Sequence, residues 1–182
     1  PGYVVKKLIH ATAKNSVKYC GAIQISSDII RKQLFHIPLH ASSNSGLNSG
    51  IYTTQATKET YKELENLAEI IIKANFTVIV DAAFLQHSQR DSFYKLANRL
   101  KVPFYILHCK ENDSEIQQRI KKRLNSVSVS EADLTILTEQ KKNNDPLTNL
   151  EKKLTFIITG KQTSLKNALE KICPRVQLEM LS

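Results

Sequence analysis

Val78-Ile79-Val80-Asp81-Ala82, with Thr77 before it and Ala83-Phe84-Leu85 after it, is the stretch on which the fold turns. A short apolar run closed by one carboxylate predicts a buried strand whose aspartate emerges at the carboxyl edge of a sheet. In open α/β sheets that edge binds ligands. A second run of the same build, Ala22-Ile23-Gln24-Ile25-Ser26-Ser27-Asp28, lies upstream, with Arg31 three residues past Asp28. Two strand-end aspartates, one with an arginine nearby, are the kind of groups that phosphoryl transfer uses.

Working outward, Pro103-Phe104-Tyr105-Ile106-Leu107-His108-Cys109 and Thr155-Phe156-Ile157-Ile158-Thr159 are further apolar runs of strand length. Helical patterns lie between them. Residues 54 to about 74 carry an apolar stripe through Tyr61, Leu64, Leu67, Ala68, Ile71 and Ile72. Asp28 to Phe35 turns back as a helix that Pro38 ends, and Ser88-Gln89-Arg90-Asp91 has the form of a capping box opening a helix to about Leu100. Asn112 with Glu115, and Ser130-Glu131-Ala132-Asp133, are expected to open two more, and a last helix is expected over about 163–172. Residues 3 to about 17 keep helical spacing through Val4, Val5, Leu8, Ile9 and Thr12, so a helix is expected there as well. Strands that are continuous apolar runs alternating with helices predict an α/β fold with a parallel sheet covered on both faces, a three-layer sandwich. The Ser/Gly/Asn-rich segment 40–50 is expected to be a surface loop near the ligand edge.

At 182 residues one domain is expected, spanning 1–182. No apolar run reaches the ~20 residues that span a bilayer, and no signal-peptide pattern opens the sequence. Cys20, Cys109 and Cys173 are too few and too scattered for a disulfide framework or zinc site, so a cytoplasmic setting is expected. The net charge of +9 suits phosphate-bearing partners, nucleotide or nucleic acid, and equally describes lysines spread over solvated helix faces. The chain starts with Pro1, and its only methionine is Met180, so a piece of a longer protein is expected.

Asp81 can hold a Mg²⁺-bound water or take a proton, or it can simply cap the turn after its strand. Asp28 and Arg31, three apart at a helix opening, can converge on one acceptor as base and binding group, or be an N-cap and an incidental surface arginine. Arg119 and Arg123, four apart, can close over a phosphate or belong to a solvated basic face, and Arg90 has the same two readings. Gly160-Lys161-Gln162-Thr163 is no phosphate-cradling loop, because Thr155 stands where the first glycine is needed and Gln162 where the hydroxyl is.

The series Ser27-Asp28-Ile29-Ile30-Arg31-Lys32-Gln33-Leu34, Ile51-Tyr52-Thr53, Val78 to Leu85 with Gln89-Arg90, and Arg119…Arg123…Ser130-Glu131-Ala132-Asp133…Gln140 resembles a bacterial family of AAA-type P-loop ATPases and predicted kinases. Its members occur alone or fused behind an aminoglycoside-phosphotransferase-like domain. More distantly it is similar to the gluconate kinase, adenylylsulfate kinase, zeta toxin and polynucleotide kinase group. The resemblance implies ATP and Mg²⁺ as cofactors, with a small-molecule or nucleotide-like hydroxyl as acceptor. It implies Asp28 as base or acceptor-binding carboxylate, Arg31 as acceptor-binding, and Asp81 as the Walker-B carboxylate on Mg²⁺ through water. Arg119 and Arg123 become lid arginines on ATP phosphates within a lid around 113–130, and Lys32 and Arg90 are expected to contact the acceptor. In this family a first strand and P-loop precede the helix expected here near Tyr3, and the sheet order is 2-3-1-4-5. The chain is therefore expected to lack its central strand and P-loop and to be inactive as it stands. A non-catalytic module binding nucleic acid or a protein through the basic surface, and a polynucleotide 5′-hydroxyl kinase, are the alternatives.

Overall fold

The structure, a computed structural model, describes residues 3–7, 21–39, 50–110, 144–159 and 162–172. The elements run β1 (Tyr3–Lys7), β2 (Ile23–Ser26), α1 (Ser27–Leu34), a 3₁₀ turn (Gly50–Tyr52), α2 (Thr54–Lys73), β3 (Val78–Asp81), α3 (His87–Arg99), β4 (Phe104–Lys110), α4 (Asn149–Lys153), β5 (Thr155–Thr159) and α5 (Gln162–Ile172). The five strands form one sheet in the order β2-β3-β1-β4-β5, with every pairing parallel.

This corrects the expectation at the start of the chain. Residues 3–7 are a strand, not the first turns of a helix, and they fill the central position that was expected to be missing. Tyr3, Val4 and Val5 pair with Val78, Ile79 and Val80 on one side and with Phe104, Tyr105 and Ile106 on the other. Adjacent β-branched valines favour an extended chain. The inner edges of β3 and β4 would otherwise hold unpaired backbone groups. Helical spacing in so short an apolar run does not separate helix from strand; the demand of the two inner edges does.

Alternation along the strands divides the core into two layers. On one face, Val78, Val80, Phe104 and Ile106 pack against Leu64, Ala68 and Ile72 of α2 and Phe93, Leu96 and Ala97 of α3. On the other, Ile79, Leu107 and Ile158 meet Ala168, Leu169 and Ile172 of α5. Burying each large apolar side chain contributes about 1.5–3 kcal/mol before conformational entropy is charged against it. Thr60, fully buried on α2, donates to Ala56 O at 2.7 Å and so leaves no orphaned hydroxyl.

Two local expectations shift. The box at the start of α3 is built two residues earlier than expected: Gln89 Oε1 accepts from the backbone N–H of Gln86, the N-cap residue. The short helix α4 was not anticipated, although Thr148-Asn149-Leu150-Glu151 spells a capping box. Glu151 N donates to Thr148 Oγ1 at 3.2 Å, and Thr148 N to Glu151 Oε2 at 2.7 Å. The helices expected over 112–142, the lid around 113–130, and most of the loop 40–50 lie outside the described residues.

Candidate active site at the carboxyl edge of the sheet

Strand register lines up three residues across the edge: Ser26 of β2 lies opposite Asp81 of β3, and Asp81 lies opposite Lys6 of β1. Asp81 is thus the last residue of β3, beside the central strand, where the crossovers from β2 and β3 leave the sheet. Its carboxylate Oδ2 accepts from Gln24 Nε2 at 3.1 Å, which fixes its orientation from the neighbouring strand.

The chain after Asp81 is held in an unusual conformation. Phe84 has φ +47°, left-handed backbone that an aromatic residue rarely adopts. It is clamped from both sides. Phe84 N donates to the Tyr61 hydroxyl of α2 at 2.9 Å, and Phe84 O accepts from Arg90 Nη1 of α3 at 2.9 Å. The ring meets Tyr61 and Phe93 edge-on, each at 5.3 Å between centroids. Such a conformation costs on the order of 1–3 kcal/mol and persists only where its surroundings over-determine it. Burial pushes the Tyr61 phenol up to about 12, ahead of the opposing pull from the Phe84 N–H and Arg31, so it stays neutral. Replacing Tyr61 with Phe keeps the ring but orphans the Phe84 N–H. We expect a loss of about 1–3 kcal/mol in chemical denaturation, with the slope on denaturant unchanged.

Arg90 was expected to touch the acceptor; the structure places it behind the wall of the site. It is 3% exposed. Its Nε donates to Glu151 Oε1 at 2.6 Å, and Nη2 reaches Glu151 Oε2 and the carbonyls of Asp145 and Pro146 at 3.2–3.4 Å. Nη1 also lies 3.4 Å from Leu85 O. Asp145 closes the same knot: its N donates to Leu85 O at 2.8 Å, and its Oδ2 accepts from His87 N at 2.7 Å. One guanidinium therefore ties the turn after Asp81 to the start of α3 and to the segment leading into α4.

Asp28 and Arg31 part company on α1. Asp28 points outward and pairs with Lys32 at 3.4 Å, while Arg31 turns inward and is 7% exposed. The cause lies beyond the helix: Arg31 Nη1 donates to Ile51 O at 2.6 Å and to Thr57 Oγ1 at 3.4 Å, and its guanidinium lies 5.1 Å from the centroid of the Tyr52 ring. Burial lowers the Arg31 pKa, outweighing Tyr52, Tyr61 and Asp28, which act the other way. Lys32, besides meeting Asp28, donates to Leu39 O at 2.9 Å. Ser26, not Asp28, is the N-cap of α1, and Asp28 lies in the first turn, where a negative charge suits the helix dipole. Arg119 and Arg123 lie outside the described residues.

Between the N-terminal halves of α2 and α3 the structure opens a cleft of about 750 Å³, lined among others by Tyr52, Thr57, Tyr61, Leu85 and Gln89. It adjoins the turn after Asp81 through Leu85, and Arg31 through Tyr52 and Thr57. Sequence reasoning did not single out Tyr61, Asp145 or Glu151 for the site. Only Glu151 carried a local signal, the Thr-x-x-Glu box.

The sheet order, the strand-end Asp81 and the helices on both faces are those of the P-loop NTPase, kinase-like α/β fold. Residues 11–147 match the AAA_33 family, described as an AAA domain, and the chain belongs to that family. No curated protein matches it. Among solved structures it is similar to a gluconokinase from Sinorhizobium meliloti 1021, at 17% identity and TM-score 0.61, covering 98% of this chain and 97% of that one. It is also similar to Chaetomium thermophilum Kti12 in complex with ADP-AlF3, at 13% identity and TM-score 0.66, covering 97% and 99%. The Mycobacterium tuberculosis APS kinase CysC in complex with AMPPNP and APS gives 12% identity and TM-score 0.58, covering 94% and 95%. These likenesses bear on the fold. Among the described residues no helix is long and apolar enough to cross a membrane.

Proposed function

We propose that the chain is an ATP-dependent phosphotransferase acting on a hydroxyl of a small-molecule or nucleotide-like acceptor. The observation that carries this reading is Asp81, at the carboxyl end of β3 and in register with the end of the central strand. A lone hard carboxylate there suits Mg²⁺, which takes most of its ligands from water and phosphate. Bound Mg²⁺-ATP would supply the phosphoryl group and neutralise its charge; Asp81 would hold the metal through water. Asp28, exposed at the first turn of α1 and paired there with Lys32, is proposed to accept the acceptor's proton. Arg31 orders the 3₁₀ turn and Tyr52 against α1, and Arg119 and Arg123 are proposed for the ATP phosphates.

The sequence directly after β1 tempers the expected rate. Laid from the residue after Lys7, the phosphate-cradle pattern G-x-x-x-x-G-K-[ST] puts Leu8 and Ala13 at its glycines, Lys14 at its lysine and Asn15 at its hydroxyl. The lysine is kept; the two glycines and the hydroxyl are not. We therefore propose slow turnover. The same departure, with the +9 charge, favours a second reading, a non-catalytic module that binds nucleic acid or a protein partner.

The deciding experiment is transfer of labelled γ-phosphate from Mg²⁺-ATP, in the wild-type chain and in Asp81→Asn. Transfer that falls by about 100-fold in the variant supports the enzyme. Salt-dependent nucleic-acid binding untouched by Asp81→Asn, with no transfer from either protein, supports the module.

A further inference from the structure

The α2–α3 cleft carries a charge pattern that names its ligand. Thr54, Thr57, Lys58, Tyr61 and Lys62 recur at three- and four-residue spacing along one face of α2 and all line the cleft. Opposite them stand Ser88, Gln89 and Ser92 from the first turns of α3. The walls are thus hydroxyls and amides, with Leu85 the one aliphatic side chain among the lining residues. Such walls suit a ligand rich in hydroxyl groups, because each hydroxyl both donates and accepts.

The charges are unbalanced in what they pair with. On α2, Lys73 pairs with Glu69, and on α3, Lys95 pairs with Asp91. Lys58 and Lys62, one turn apart on the cleft rim, form no ion pair among the described residues. Of the two acids in the lining, Asp145 already accepts from His87 N. Glu65 has its pKa raised, by burial first and by Glu69, against the pull of Arg99. Arg31 adds a third cation behind the wall. Nη1 makes both of its hydrogen bonds, so Nε and Nη2, on a side chain 7% exposed, have no protein acceptor among the described residues.

We propose that the cleft binds a polyhydroxylated anion, a sugar acid or a sugar phosphate, with Lys58 and Lys62 holding its acidic group and the hydroxyl and amide walls its hydroxyls. This deepens the phosphotransferase reading and rests on it for the ligand's role as acceptor. The binding itself can be measured without ATP.

The test is calorimetric titration of the full chain with D-gluconate, glucose 6-phosphate, glucose and AMP, in the absence of nucleotide triphosphate. Gluconate or glucose 6-phosphate is expected to bind at least ~10-fold more tightly than glucose, the stronger of the two identifying carboxylate or phosphate. The double variant Lys58→Gln/Lys62→Gln is expected to lose that advantage, while Lys73→Gln, paired on the last turn of α2, keeps it. Glucose binding as tightly as both anions, AMP binding best, no ligand binding at all, or equal losses in the Lys73 variant would each overturn the proposal. Should the double variant misfold, Ser88→Ala, which removes one wall hydroxyl, is expected to weaken anion and glucose alike by ~3–10-fold; no change would count against the cleft. Anion binding without phosphate transfer in the presence of Mg²⁺-ATP would leave this inference standing and remove the phosphotransferase reading.

Discussion

Arg90→Ala is expected to lower the thermal midpoint of the chain by about 6–20 °C. Removing one partner of a buried ion pair costs about 3–5 kcal/mol, and for a chain of this length each kcal/mol moves the midpoint about 2–4 °C. Three losses coincide here. Glu151 is left charged with its side chain 9% exposed. The carbonyls of Phe84, Leu85, Asp145 and Pro146 lose the donor they share. The left-handed turn at Phe84 keeps only its Tyr61 clamp. Arg90→Lys is expected to recover little, because an ammonium group cannot span a carboxylate and separate carbonyls as a planar fork does. Differential scanning calorimetry decides it, and a shift below about 2 °C in the alanine variant would show the knot to be incidental.

The other half of the pair reports through pH. Burial pushes the Glu151 carboxyl up, but Arg90, the Thr148 backbone N–H and His87 outweigh it, and the group titrates at about 2 against an ordinary 4.5. A carboxylate depressed on folding contributes stability that is complete above the unfolded value and drains away as the pH falls toward the folded one. The midpoint should therefore decline between about pH 4.5 and pH 2. Glu69, held at about 2 by Arg99 and Lys73, titrates in the same window from the surface. Comparing Glu151→Gln with Glu69→Gln separates the two, and the buried residue should account for more of the slope.

What the sequence revealed and what it concealed divide along a physical line. Val78–Asp81, Phe104–Lys110 and Thr155–Thr159 were legible because buried parallel strands are written as continuous apolar runs, and α2 was legible because its stripe repeats at helical spacing. Tyr3–Lys7 was misread because five residues carry too little period to tell strand from helix. The cue that resolves it is global: β3 and β4 need a strand between them, and Val4-Val5 is the β-branched run at hand. The placement of the site residues was hidden for a different reason. Arg31 and Arg90 look alike in sequence to surface arginines, and their inward turn depends on Ile51 O and Glu151, which lie 20 and 61 residues away. Asp28 and Arg31 share a helical face on paper and still separate, because the partner that orients Arg31 comes from another element. Spacing along one helix does not predict convergence when a distant carbonyl competes for one member of the pair.

The largest expected effect on activity follows from the central position of β1. Because Tyr3–Lys7 sits beside β3, the sequence that follows it is the one to alter, and it departs from the cradle pattern at Leu8, Ala13 and Asn15 while keeping Lys14. Glycines in that pattern let backbone N–H groups approach phosphate without a side chain between, and the hydroxyl contacts Mg²⁺. Restoring them as Leu8→Gly, Ala13→Gly and Asn15→Thr is expected to raise Mg²⁺-dependent phosphate transfer by about 100-fold or more, since preorganised amides and a held metal each contribute on that scale. Adding Asp81→Asn to the restored chain should abolish the gain, and Lys14→Met should do the same by removing the lysine that the pattern assigns to the β/γ-phosphates. Steady-state transfer of labelled phosphate reads all of these, with calorimetry confirming that each variant is folded. A restored chain that is folded, binds Mg²⁺-ATP, and still transfers nothing would place the defect in the acceptor half of the molecule, and the experiment would then pass to Asp28→Asn and the α2–α3 cleft. A restored chain that gains transfer but keeps it in Asp81→Asn would instead show that the strand-end carboxylate holds no metal. That outcome would remove the observation on which the phosphotransferase reading rests.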